Sequence, residues 1–194
     1  MPLKAGEPRL EARGLDWVGR FTCMAGPCEV WLEGGAREPA ACAIARAAAE
    51  ASRIEAKYSR FDSASELCRL QVCAEVPHAV DAETARLMDF AGSLWELSDG
   101  AFDITSGPLS KLWGFHRREG RLPSEDEIAD SLRRVGSQWL ILDDAAGSVR
   151  FGQPDPEVNF NAIGKRYALD QAANVLSAQG GEAATLFNSQ PQAR

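Results

Sequence analysis

A chain of 194 residues is the length of one domain or most of one, and 45% apolar residues are enough to bury a sizeable core. The formal net charge is −7, with acidic and basic residues interspersed and no lysine or arginine stripe, which argues against a nucleic-acid partner. No apolar run approaches the roughly 18 residues of a membrane-spanning helix, and Met1 to Leu15 mixes charges of both signs without the apolar segment of a secretory signal, so no transmembrane segment and a cytoplasmic location are expected.

Residues 1–18 read as a loosely held arm, followed by one domain over 19–194. Phe21, Cys23, Val30, Trp31 and Leu32 surround Met24-Ala25-Gly26-Pro27, which predicts two short strands joined through a glycine-containing turn or bulge. Ile44, Ala48, Ala51, Ile54 and Tyr58 recur at helical spacing within 38–60, and the many alanines favour helix. Ser63 to Leu70 reads as a short helix with Ser63 as N-cap and Glu66 completing a capping box. Leu87, Ala91 and Leu94 line one face of a helix over 82–98, and Gly100 supplies its left-handed stop.

Pro108 suits the opening of another short helix. Ser124 caps a longer one running to Val135, with acidic residues in its first turn. Trp139–Leu142 and Ser148–Phe151 predict a hairpin, and Val158-Asn159-Phe160 a further strand. A helix over 164–178 turns Leu169, Ala172, Ala173 and Leu176 inward, and Ala184 to Phe187 begins one more strand. Hairpin-linked strands mixed with helices, without repeats or a low-complexity linker, give an α+β class with antiparallel or mixed sheets packed with helices.

Five cysteines (Cys23, Cys28, Cys42, Cys68, Cys73) form no Cys-x-x-Cys pair, and the only histidines are His78 and His116, so neither a zinc site nor a disulfide framework is expected. Both histidines stand in loop contexts and read as solvent-exposed. No Ser/His/Asp or Cys/His arrangement is visible.

Polar groups that core packing does not need collect at Met24–Pro27, Ser59–Glu66, Gly100–Phe115 and Asn159–Asp170. The most informative run is Ser98-Asp99-Gly100-Ala101-Phe102-Asp103-Ile104-Thr105-Ser106-Gly107-Pro108-Leu109, followed by Leu112-Trp113-Gly114-Phe115. Polar residues held between aromatics and glycines suit a ligand with a flat ring and phosphates, because glycine lets backbone approach closely and side-chain oxygens fix orientation. Local capping of the turn before Pro108 is the other reading of Asp103 and Thr105.

These stretches resemble the FAD:protein FMN transferase (ApbE) family, long labelled thiamine-biosynthesis lipoproteins. The resemblance runs from about Phe21 to Phe187. Family members carry Met-Gly-Thr where this chain has Met24-Ala25-Gly26, and a pattern like Tyr58-Ser59-Arg60-Phe61 before Asp62-Ser63-Ala64-Ser65-Glu66-Leu67. They carry Asp-Gly-x-Phe-Asp-x-Thr-x-Gly-Pro-Leu and Leu-Trp-Gly-Phe, here almost unchanged, and Asp-Leu-x-x-Ile-x-Lys-Gly-Tyr-Ala-x-Asp, here Asn159 to Asp170. Four motifs in the right order make the resemblance specific.

It implies a T-fold-like flavin transferase architecture, FAD as substrate, magnesium (Mg2+), and transfer of FMN to a threonine hydroxyl of a target flavoprotein with release of AMP. By the same resemblance, Met24 and Phe61 or Tyr58 pack against the FAD rings. Ala101, Phe102, Asp103 and Thr105 line the flavin site, with Asp103 hydrogen-bonding the ring or ribose. Lys165 faces the nucleotide, since a cation suits a phosphate, and Ala162 offers its backbone carbonyl to magnesium, a hard cation that takes oxygen ligands.

Three departures stand out. The family threonine is Gly26, the aspartate opening the last motif is Asn159, and the glycine after the lysine is Arg166. The family's later segments, with the Asp…Thr pair that supplies most magnesium ligands, have no counterpart among these residues. An FAD-binding module or inactive portion without transferase activity is the alternative reading.

Overall fold

The computed structural model describes residues 8–72, 75–114, 120–143, 145–153, 155–178 and 184–188. In chain order they form β1 (Arg9–Arg13), β2 (Asp16–Cys23), β3 (Gly26–Leu32), α1 (Arg37–Lys57), α2 (Glu66–Leu70), β4 (His78–Ala79), α3 (Ala82–Leu97), α4 (Gly107–Leu112), α5 (Glu125–Leu132), β5 (Leu140–Asp143), β6 (Ser148–Phe151), α6 (Asn161–Ser177) and β7 (Ala184–Asn188), with a 3₁₀ turn at Ser137–Trp139. The expected α+β class holds. The chain divides into two units, Met1–Tyr58 with Asn161–Arg194, and Ser59–Phe160. The expected boundary after residue 18 falls inside β2. Cys73, Phe115 and His116 lie outside the described residues.

The first unit is an antiparallel sheet in the order β1-β2-β3-β7, with α1 and α6 packed on each other and α1 against β2. The arm expected at its start is in part a strand. β1 pairs with β2 from Arg9↔Arg20 to Arg13↔Asp16, and Gly14, at φ +67, makes the reversal between them. Phe21 and Cys23 of β2 share a face with Cys28 and Val30 of β3, as the period of two requires. That face is buried with Ile44, Ala47 and Ala51 of α1 and Ala172 and Leu176 of α6. Each large apolar side chain so buried stabilises the unit by about 1.5–3 kcal/mol. Gly19 makes the close helix–sheet contact possible, because a Cβ there would stand 2.2 Å from Ile44 Cγ2.

The opposite face buries Val18, paired with Trp31, and carries charge beside it. Arg20 bridges Glu11 and Glu29, the latter at 2.6 Å, and Arg13 lies 5.8 Å from the Trp31 ring centroid. α6 starts at Asn161, three residues before the helix expected from 164.

The second unit holds a three-stranded sheet in the order β4-β6-β5 and the helices α2 to α5. Leu67, Leu87, Met88, Ile104, Val149 and Phe151 are among its buried side chains. The Ser124 cap expected at α5 is present, and it forms a capping box with Glu127 that the sequence reading did not foresee. The capping box expected from Ser63 and Glu66 is not: Ser65 caps α2 and accepts from the Cys68 amide. The reason is upstream, where Asp62 takes the Ala64 amide through its side chain and the Ser65 amide through its carbonyl, delaying the helix.

His78, expected in an exposed loop, is half-buried in β4 and pairs with Val149. Val158–Phe160 is not a strand. Val158 donates to the Gln71 side chain and Asn159 to the Ile104 carbonyl, so the segment is held by single bonds to different partners rather than by a ladder.

Candidate functional site

The run singled out in the sequence folds into a loop braced at both ends. α3 terminates with Asp99 at φ 52 and Gly100 at φ 78, so the left-handed stop spans both residues rather than the glycine alone. The Gly100 amide closes on the Trp95 carbonyl at 2.9 Å, and the Ser98 hydroxyl accepts from the Phe102 amide at 2.9 Å. At the far end Gly107 donates its amide to the Glu157 carbonyl at 3.2 Å. Glu157 in turn binds Lys111 at 2.8 Å and faces Arg134 at 3.8 Å.

Between these ends sits a polar knot. Asp103 Oδ1 accepts from the Thr105 amide and hydroxyl, each at 2.7 Å, and from the Ser137 hydroxyl at 2.8 Å. Its Oδ2 accepts from the Ser137 amide at 2.9 Å. The fully buried Thr105 hydroxyl accepts from the Gly136 amide at 2.7 Å. The structure therefore brings Asp103 and Thr105 together as the capping reading requires, and adds Gly136 and Ser137, which the sequence reading missed. The only signal for them is a Gly-Ser step between Val135 and Trp139. Ala101 is exposed and Phe102 half-buried, so this end of the loop is open to a ligand.

Phe61, in the same unit, is 79% exposed, with the Arg60 guanidinium 4.5 Å from its ring centroid. Burial holds Arg60 below its ordinary pKa, and Glu157 acts against that shift. Of the two aromatics offered to a flavin ring, Phe61 is the accessible one. Tyr58 is 8% exposed, and the Lys57 ammonium lies 5.3 Å from its ring centroid.

In the other unit, Met24 and Ala25 form the β2–β3 turn, with Cys23↔Gly26 the last pair. Both adopt positive φ, 51 and 58, the left-handed pair that a two-residue hairpin turn demands and that glycine or asparagine usually supplies. Gly26 opens β3 instead of making the turn. Beneath it, burial pushes the Cys23 thiol up, reinforced by the Glu55 carboxylate. Burial also raises Cys28, against the opposing charge of Lys165. Lys165 is half-buried on α6, and Ala162 lies exposed in its first turn. Arg166, the departure beside it, reaches Asp170 at 2.9 Å and is 81% exposed.

The donor set does not fit a resident magnesium. A hard divalent ion takes about six oxygens, with one or two carboxylates among them. Among the described residues no group of three His, Cys, Asp or Glu comes together, and Asp103 is engaged by four protein donors. What the loop provides is braced backbone and aromatic surface, and the Thr105 and Ser137 hydroxyls that lie beside the Asp103 carboxylate are buried. Such an arrangement binds and orients.

This α+β fold is shared with flavin transferases. It superposes on the ApbE protein of Thermotoga maritima with a TM-score of 0.79 at 28% identity, covering 89% of this chain and 56% of that one. The flavin transferase ApbE of Vibrio cholerae has the same fold, with a TM-score of 0.79 at 22% identity over 92% of this chain and 57% of that one. The model of the ApbE family matches residues 24–187, and the chain belongs to that family.

Among curated relatives, the FAD:protein FMN transferase of Haemophilus influenzae is 30% identical over 129 residues, covering 63% of this chain and 37% of its own length. That of Chlamydia pneumoniae is 29% identical over 119 residues, 61% of this chain and 38% of its own length. The chain thus spans under two fifths of these two relatives.

Proposed function

We propose that the protein serves FAD:protein FMN transfer, and that the described residues supply flavin-nucleotide binding. The observation that carries this is the braced Gly100–Gly107 loop lying within the family match. A loop whose polar side chains are satisfied internally holds its backbone and Phe102 in one geometry, so little ordering remains when a flat ligand docks. In the reaction so proposed, a threonine hydroxyl of the target flavoprotein attacks the phosphorus of the FMN half. An oxygen–phosphorus bond forms, the diphosphate bond to AMP breaks, AMP departs, and the hydroxyl proton passes to solvent. The protein's part is to hold the flavin and expose one phosphorus in line.

Magnesium belongs to this proposal as the ion that would neutralise the diphosphate. The described residues do not gather its ligands, so no step is assigned to them through it. A second reading, FAD binding without transfer, is favoured by that same donor set and by Asn159 standing where the family has a charge.

The test is to incubate the chain with FAD, magnesium and a threonine-bearing target flavoprotein, then read in-gel fluorescence of the denatured target. FAD titration is run alongside. Binding without a labelled band is the result expected of these residues alone. A labelled band that a chelator abolishes would establish transfer and overturn the donor-set argument. Absence of FAD binding would overturn the flavin reading.

A further inference from the structure

We propose that Ser137, together with Gly136, is the positioning element of the flavin loop, which it holds through Asp103 and Thr105. This inference rests on the flavin-binding reading above.

A carboxylate offers about four lone-pair sites. Three donors converge on Asp103 Oδ1, two from Thr105 and the Ser137 hydroxyl, and the Ser137 amide takes Oδ2. The buried Thr105 hydroxyl donates to Asp103 and accepts from the Gly136 amide. The motif is thus tied into the protein through these bonds, with Ala101 exposed beside half-buried Phe102.

Ser137 stands 34 positions from Asp103 and leads directly into β5, whose neighbouring Trp139 carbonyl accepts from the Gly152 amide at 2.8 Å. The loop is thereby tied to the β5–β6 hairpin. Ser137 holds it with two bonds, an amide on one carboxylate oxygen and a hydroxyl on the other. A bidentate hold fixes the plane of the carboxylate, and with it the direction in which the chain leaves towards Phe102 on one side and Thr105 on the other. Ser137→Ala removes the hydroxyl and keeps the amide, so the loop gains freedom about the remaining bond. A loop-borne site loosened in this way loses affinity for a planar ligand before the unit loses its fold.

The experiment titrates FAD, by flavin fluorescence, into the 194-residue chain and into Ser137→Ala, Ser137→Thr, Asp103→Asn and the Ser137→Ala/Asp103→Asn pair, each well below its own melting temperature. Ser137→Ala is expected to weaken FAD about tenfold, the scale of one hydrogen bond to a charged group. Ser137→Thr, which keeps the hydroxyl, is expected to stay within about twofold of wild type. The double variant is expected to bind about as well as the weaker single one, because both changes break the same link. The visible circular dichroism of FAD at saturation is expected to differ between Ser137→Ala and wild type, which a loss of stability alone would not produce.

Ser137→Ala with a lower melting temperature and unchanged FAD affinity would make Ser137 a purely structural residue and overturn the proposal. So would additive losses in the double variant. If Ser137→Ala does not fold, Ser137→Cys, with a weaker donor of similar size, carries the same two outcomes. A wild-type chain that does not bind FAD defeats the flavin reading itself, which separates that failure from this one.

Discussion

The Gly107 backbone lies against Glu157 so closely that a Cβ on the glycine would stand 2.4 Å from both the Glu157 Cβ and its carbonyl oxygen. The glycine is required by space, since the obstructing atoms are a backbone and the root of a side chain. The contact carries a hydrogen bond from the Gly107 amide to that carbonyl, and Glu157 also binds Lys111 across the same junction. Gly107→Ala must push the two segments apart. The expected cost is about 1–3 kcal/mol, the usual scale of overpacking. Urea denaturation reads it as a lower midpoint at unchanged slope. A midpoint equal to that of the wild type would mean that the segments part at no cost.

Ala25 invites the opposite change. It sits at φ 58 next to Met24 at φ 51, both in the left-handed region. An L-residue there is strained by roughly 1–2 kcal/mol, whereas glycine is not but loses more entropy on folding. Ala25→Gly is therefore expected to stabilise the chain by about 0.5–1 kcal/mol. Thermal melts compare the two proteins directly, and a lower melting temperature for the glycine variant would show that the turn holds alanine without strain.

The helices were legible because their apolar spacing is local. Ile44, Ala48, Ala51 and Ile54, picked out by period, are all buried. So were the α5 cap and the β5–β6 hairpin. What escaped the sequence depends on partners far along the chain or on competition between near neighbours. Asp103 and Thr105 advertise a turn, but their anchors at Gly136 and Ser137 lie 31 and 34 positions away. Ser63 and Ser65 are equally good caps in isolation, and the Asp62 turn decides between them. Val158–Phe160 has the residues of a strand and lacks a ladder to join. β1 hides in a stretch of mixed charge because its exposed face pairs charges with Arg20 rather than alternating apolar with neutral.

Glu29 ties acid stability to the sheet. Its carboxyl is held below the ordinary value of 4.5, first by the hydrogen bond from Arg20 and then by that from Trp31. A lowered folded pKa contributes stability that is fully present above the unfolded value and is lost as pH falls through the folded one. The wild type is thus expected to lose part of its stability below about pH 4.5 through this group. Glu29→Gln should show a shallower loss in that window, with a small difference at pH 7 because the pair is partly solvated. Urea midpoints measured from neutral to acid pH give both curves. Parallel acid limbs would remove Glu29 from the account.

The buried thiols control the alkaline side. Cys23 is raised from its ordinary 9.0 by burial and then by Glu55, and Cys28 is raised by burial. A thiol attacks as the thiolate, so both are expected to be inert at neutral pH in the folded chain, while exposed Cys42 alkylates readily. The sign of the linkage follows from the raised values. In the unfolded chain these thiols ionise near 9.0, whereas in the fold both are raised above it. Stability from their burial is fully present below that pH and declines as pH rises beyond it, because ionisation favours the unfolded state. Mass spectrometry after brief iodoacetamide treatment should find Cys42 modified, with Cys23 and Cys28 unmodified until urea is added. Urea midpoints should fall between about pH 9 and 10.5, and fall less in Cys28→Ala, which has one fewer raised thiol. Equal labelling of Cys23 and Cys42 in the native protein would show that the β2–β3 hairpin opens to solvent far more often than its packing against α1 and α6 allows.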